Sequence, residues 1–298
     1  MFASDQYELV DFGGGRKLER FGPYWLDRPS IVAGDFSRRT PEVWNKAHAR
    51  YVRLPNDDGD WEFNTNLPER WTIRHEPFVL EIKLTPFGHL GVFPEQAENW
   101  DWIGEKVREL AAADPSRRPK VLNLFAYTGG STLAAAAAGA EVVHIDAAAN
   151  VVAWARRNAK FSGLADAPIR WIVEDARKFV DRECRRGNKY DMVIADPPAY
   201  GHGPKGEKWD LIRDIQAYGM ATNKLLDPKR CVVLFSHHSE TLRSEDVLRS
   251  FRLVPWPNGN RDVPELNSPD YAIGDMNLSD RSARKHHCGY YVRVVENR

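Results

Sequence analysis

Cysteine is scarce in this chain. Its 298 residues include three, Cys184, Cys231 and Cys288, with no C-x-x-C pair, so a disulfide framework is excluded. An excess of one charge is also missing, since 42 Lys and Arg offset 42 Asp and Glu. The overall basic bias of many nucleic-acid binders is therefore absent. No apolar run approaches the roughly 20 residues that a membrane-spanning helix needs. The opening MFASDQYELVDF has neither a basic stretch nor an apolar one behind it, so a secretory signal is not expected. Together these absences point to a soluble, reducing, cytoplasmic setting. With 42% hydrophobic residues, the chain can build one large domain or two of ordinary size.

Two textures follow one another. Up to about residue 94 the pattern is strand and turn. Strands are expected over 7–12, 17–21, 49–54, 61–64, 71–75 and 78–84, separated by Gly, Pro and Asp clusters, with 85–91 as a turn. Trp25, Trp44, Trp61 and Trp71 either fill the core of a small β-module or stack on bases. From Glu95 onward the period changes. A helix over 95–113 precedes alternating strands (121–126, 141–146, 169–173, 191–195, 231–235) and helices (an alanine-rich one, then 150–161, 176–186, 211–226 and a short one near 244–251). A last strand is expected over 290–295. Such alternation predicts an α/β fold, a Rossmann-like doubly wound parallel sheet, preceded by a small β-rich domain. The expected boundary divides 1–94 from 95–298.

Ligands of such sheets gather at the carboxyl ends of the strands. The first end is the turn in VLNLFAYTGGSTLAAAAAGA, where glycines let the backbone approach a ligand and Ser131 and Thr132 suit the helix start. The second end carries Asp146, about 20 residues beyond the glycines, where a carboxylate can hold ribose hydroxyls. The third carries Glu174 and Asp175. Asp175 can accept from an adenine amino group or cap the next helix. The fourth carries Asp196-Pro197-Pro198-Ala199-Tyr200, a stiff turn whose carbonyls can accept from a substrate, since proline fixes φ and brings no donor. The fifth is Ser236-His237-His238-Ser239, with His237 a candidate base. The Gly-rich loop 201–209 resembles a lid, in which Lys205 and Lys208 could meet phosphate.

In that order, NLFAYTGG, HIDA, ED and DPPAY resemble the class I S-adenosylmethionine-dependent methyltransferases. More closely they resemble the bacterial large-subunit (23S) ribosomal RNA enzymes that modify cytosine C5 or guanine N7. The likeness runs from about residue 84 to 251 and includes FPEQAENW. It implies S-adenosyl-L-methionine as cofactor and RNA, ribosomal RNA above all, as partner. It also implies that Phe125, Ala126, Tyr127, Thr128 and Gly129 surround the methionine part. Asp146 with Ala147 would take the ribose, and Asp175 with Ala176 the adenine. Glu95 or Gln96 would close the cofactor site from the other side. Asp196, Pro197, Pro198 and Tyr200 would frame the transfer point, Asp196 also touching the cofactor.

Methylation at C5 of a pyrimidine needs a nucleophile at C6, commonly a cysteine thiolate. Here the fifth strand end reads Phe235-Ser236-His237-His238, and none of the three cysteines is suitably placed. A nitrogen or oxygen acceptor is thus preferred. Metal is not expected, because neighbouring histidines on a strand face opposite ways. The basic group Arg281, Arg284, Lys285, His286 and His287 fits either a solvated turn or a phosphate contact. Three rival readings stand beside this one. They are an NAD(P)-dependent oxidoreductase, a non-catalytic RNA-binding protein, and a methyltransferase acting on a small molecule or protein.

Overall fold

In a computed structural model of the protein, residues 1–54, 59–239, 241–242, 247 and 271–297 are described. Contacts divide the chain into two compact units, Met1–Glu98 with Asn277–Cys288, and Asn99–Met276 with Gly289–Arg298. The expected boundary differs by four residues, and Asn277–Cys288, expected with the second region, packs within the first.

The first unit is built on a five-stranded sheet in sequence order, β1 (Tyr7–Gly13), β2 (Arg16–Phe21), β3 (Tyr24–Pro29), β4 (Ala49–Arg53) and β5 (Gly59–Phe63). A two-stranded pair, β6 (Trp71–His75) and β7 (Phe78–Ile82), follows. Strand β3 was not among the strands expected from the sequence. Asp27 lies in the strand because the Arg16 guanidinium meets its carboxylate at 2.5 Å. Trp44 packs with Val10, Leu18 and Ala47 in the core, and Trp71 donates its indole N–H to the Phe21 carbonyl at 3.1 Å. Trp44 thus fills the core of the β-module.

The second unit follows the expected alternation. Its elements are α1 (Ala97–Ala113), β8 (Lys120–Leu124), α2 (Gly130–Ala137), β9 (Glu141–Asp146), α3 (Ala149–Phe161), β10 (Ile169–Val173), α4 (Ala176–Arg186) and β11 (Met192–Ala195). A hairpin, β12 (Tyr200–His202) with β13 (Lys208–Asp210), then leads into α5 (Leu211–Asn223), β14 (Arg230–His237), β15 (Tyr271–Ser279) and β16 (Lys285–Asn297), the last three residues of β15 and the first four of β16 being counted with the first unit. The helix expected over 244–251 falls, but for Val247, outside the described residues.

The sheet runs β10-β9-β8-β11-β14-β16-β15. Its first five members are parallel, and β16 is antiparallel to β14. The chain moves outward from β8 to β10, then crosses back to β11, so strand order reverses between β8 and β11. Helices cover both faces. On one, Phe179, Val180, Ile215 and Tyr218 of α4 and α5 pack with Leu122, Leu124, Val143, Ile145, Val193 and Phe235. On the other, Thr132 of α2 accepts from Asn123 Nδ2 and bonds His144 Nδ1, both at 2.9 Å. The alternation of side chains along β8 and β9 sorts these two sets. His144 is buried there, and burial with Arg156 nearby pushes it down to about 3.

Strand β15 escaped the sequence reading because Gly274 interrupts it. A Cβ at that position would meet the Tyr291 hydroxyl at 2.5 Å, so the glycine makes room for the neighbouring strand's ring.

Candidate active site

Five parallel strands of one sheet end at a common rim. The β8 end is shaped by two non-glycine residues in the left-handed region, Phe125 (φ 55°) and Tyr127 (φ 50°), and by Gly129 (φ 92°). Such dihedrals are held only where surroundings over-determine them. Here the Ala126 N–H donates to the Ile145 carbonyl, the Tyr127 N–H to Asp146 Oδ2, and Asn158 Nδ2 to the Thr128 carbonyl, all at 2.9 Å. The glycines are required by packing. A Cβ on Gly129 would meet the Ala155 Cβ at 3.1 Å, and one on Gly130 the Trp100 ring at 2.6 Å.

Asp146 ends β9 half-buried. Its Oδ1 accepts from the Ala148 N–H at 2.9 Å, so the two oxygens together brace the β8 loop and the start of α3. Burial pushes its pKa up, against the pull of the backbone N–H groups of Ala148, Tyr127 and Ala147. Ala147 is half-buried beside it.

Asp175 is the N-cap of α4, accepting from the N–H groups of Arg177 and Lys178. Its Oδ2 lies 3.4 Å from the Arg177 guanidinium, and a Cβ on Gly203 of the hairpin would come within 3.0 Å of that oxygen. Both oxygens are thus engaged and the residue is buried, as is Ala176. The capping role expected of Asp175 is present, carried by its Oδ1.

At the β11 end, Asp196 is partly exposed. Ser236 Oγ donates to its Oδ1 at 2.8 Å, and His238 Nε2 stands 3.9 Å from its Oδ2. Pro197 is buried, while Pro198 and Tyr200 are exposed. The carbonyls after the aspartate are not all open to a substrate as expected. Pro198 accepts the Trp209 indole N–H at 2.6 Å, and Ala199 accepts the Leu211 N–H at 2.9 Å.

His237 does not face Asp196. Strand β14 runs two residues further than expected, so alternation turns Ser236 and His238 to one side and His237 to the other. The His237 ring is buried and stacks on Tyr290 with centroids 5.2 Å apart, and its Nδ1 accepts the Ser239 N–H at 3.3 Å. Gln96 and Glu95 lie in the 3-10 turn Pro94–Gln96 of the first unit, with Gln96 buried. Two of the cysteines lie away from the strand ends. Cys231 is buried near the amino end of β14, Cys184 on α4 donates to the Ala221 carbonyl at 3.3 Å, and Cys288 belongs to the first unit. Burial pushes the thiols of Cys184 and Cys288 up.

The family model described as S-adenosylmethionine-dependent methyltransferase matches residues 41–228, more than half of the chain. The chain belongs to the S-adenosylmethionine-dependent methyltransferases. Ribosomal RNA large subunit methyltransferase K/L of Shewanella frigidimarina is 29% identical over 174 residues, 57% of this methyltransferase and 23% of that protein. Ribosomal RNA large subunit methyltransferase I of Aeromonas hydrophila is 29% identical over 136 residues, 45% of this chain and 34% of its own. The chain therefore spans well under half the length of these curated relatives. The crystal structure of a SAM-dependent methyltransferase from Agrobacterium tumefaciens superposes with a TM-score of 0.87 at 33% identity, covering 97% of this chain and 90% of that one. Among the described residues, no helix is long and apolar enough to cross a membrane.

The rim fits the cofactor of this family. A carboxylate offers about four acceptor positions, and the half-buried Asp146 bonds backbone N–H groups of Tyr127 and Ala148 while keeping a partly exposed surface. Partly exposed Asp196 adds negative charge at the next strand end, suited to a sulfonium. Three residues of the methyltransferase's rim lay in segments singled out from the sequence, but without a role of their own. Ser236 and His238 were readable only with the correct strand parity, and Trp209 bonds a main-chain carbonyl, which no side-chain pattern reveals.

Proposed function

We propose that the chain transfers a methyl group from S-adenosylmethionine to a nitrogen of an RNA base, with large-subunit ribosomal RNA as the favoured RNA. The observation that carries this reading is the Asp196-Pro197-Pro198 turn at the end of β11, with Ser236 and His238 on the two oxygens of Asp196. The names of the curated relatives support RNA as the acceptor. Cys231, buried near the amino end of β14, and Cys184, in the last turn of α4, lie away from the strand ends, which supports a nitrogen over cytosine C5.

The bound cofactor supplies an electrophilic methyl on a sulfonium that is itself the leaving group. The protein's own part is alignment and exclusion of water. Asp146 would accept the ribose hydroxyls, and the Phe125–Gly129 loop would line the methionine part, its shape fixed by the hydrogen bonds of Ala126, Tyr127 and Thr128. Asp196, oriented by Ser236 Oγ, accepts from the N–H of the acceptor base and holds its lone pair toward the methyl. The proton that the nitrogen loses would leave along that bond to Asp196, with His238 beside it to take it on. Exposed Tyr200 lies against the base.

The test is transfer of labelled methyl to ribosomal RNA from cells lacking the protein, followed by nucleoside mass spectrometry. An N-methylated base is expected. Label on cytosine C5, or on no nucleoside, contradicts the reading.

A further inference from the structure

The β12–β13 hairpin reaches three strand ends through a buried tryptophan and its neighbours. Trp209 pairs with Gly201 across the hairpin and is only 5% exposed. Its ring centroid lies 5.0 Å from that of Phe125 at the β8 end and 5.3 Å from that of Tyr218 on α5. The Arg177 guanidinium of α4 sits over it at 5.6 Å. Its indole N–H donates to the Pro198 carbonyl at 2.6 Å, and Leu211, two residues on, donates its N–H to Ala199 at 2.9 Å. At the other end of the hairpin, Glu207 pairs with Lys178, and Gly203 lies against Asp175.

A Pro-Pro turn presents carbonyls but no N–H of its own, so it cannot brace itself. The brace must come from outside, and the indole N–H is the donor placed to give it. We infer that Trp209 is a positioning residue for methyl transfer, fixing the Asp196-Pro197-Pro198 turn against the Phe125 end of β8. This inference rests on the transfer reading of the rim. It acts on the acceptor side, because the bond is to Pro198 and not to the loop that lines the cofactor. A small displacement of a reacting group costs rate more than affinity.

Two replacements at this position separate the donor from the ring. Trp209→Phe keeps an aromatic ring, and benzothienylalanine keeps the full ring size while removing the N–H alone. For both, kcat on ribosomal RNA from cells lacking the protein is expected to fall about tenfold, the worth of one buried hydrogen bond. KM for RNA and affinity for S-adenosylhomocysteine, read by calorimetry, should stay within about twofold. Hydrogen exchange gives a readout independent of turnover. The Leu211 amide should exchange about tenfold faster in both variants, while the Leu133 amide, bonded to the Gly129 carbonyl, is unchanged. An unchanged kcat with benzothienylalanine overturns the inference, as does loss of S-adenosylhomocysteine affinity in step with kcat, which marks a merely structural residue. If the wild-type protein transfers no label to this RNA, the RNA reading fails. The pin on the turn is then decided by exchange alone, and an unchanged Leu211 rate overturns it.

Discussion

Two carboxylates buried in the first unit differ from two at the rim of the second. In the first, Asp11 is fully buried and surrounded by donors. It accepts from the N–H groups of Phe12, Arg39 and Thr40, the Thr40 hydroxyl, the Trp44 indole and the Arg284 guanidinium. Glu19 is likewise enclosed, between Arg28 at 2.5 Å, Lys17 at 3.2 Å and the Tyr7 hydroxyl at 3.0 Å. At the rim of the second unit, Asp146 is only half-buried and braces two backbone N–H groups, and Asp196 is partly exposed. A saturated carboxylate holds a fold together. One with acceptor capacity and access to solvent can hold a ligand. Burial alone does not separate the two, since it presses on carboxylates in both units; the count of donors does.

The largest effect should come from the first kind. Asp11→Ala leaves the Arg284 guanidinium facing a buried void, though Asp280 at 2.7 Å remains as a partner. Loss of one member of a buried ionic network costs about 3–5 kcal/mol, to be read by urea denaturation followed through tryptophan fluorescence. Gly130→Ala in the second unit should cost about 1–3 kcal/mol by overpacking against Trp100. That result would show that this glycine is there for helix packing, whereas an unchanged stability together with lost cofactor binding would return it to the ligand.

Glu19 sharpens the comparison through pH. Burial pushes its carboxyl up, but Arg28 and Lys17 more than offset this and lower it from 4.5 to about 2. A group depressed on folding stabilises above its unfolded pKa, so this contribution is complete above about pH 4.5 and disappears as pH falls toward 2. In Glu19→Gln that acid-dependent part of the stability curve should flatten. Asp146, which burial pushes upward, contributes with the opposite sign, so Asp146→Asn should not reproduce the flattening.

Much of this arrangement was readable in the sequence. The alternating apolar runs located β8 to β11 and their helices because a parallel sheet buries both faces of each strand and leaves continuous apolar stretches. Asp146 and Asp196 stood out because each follows such a run directly. The hidden parts share a cause, which is that their logic lies in partners distant along the chain. Gly274 reads as a breaker until Tyr291 is placed beside it. The choice between His237 and His238 depended on where β14 ends, since a one-residue change in strand parity turns each side chain to the other face. Asp175 was legible as a cap, but the hairpin over it was not.

Calorimetric titration of S-adenosylhomocysteine into wild-type protein and Asp146→Ala tests the contrast between structural and ligand-holding carboxylates most directly. Loss of charge-assisted bonds to two hydroxyls should weaken binding about 100-fold or more, with the first unit's denaturation midpoint unchanged. Equal affinity in the two proteins would contradict the assignment of this rim to the cofactor.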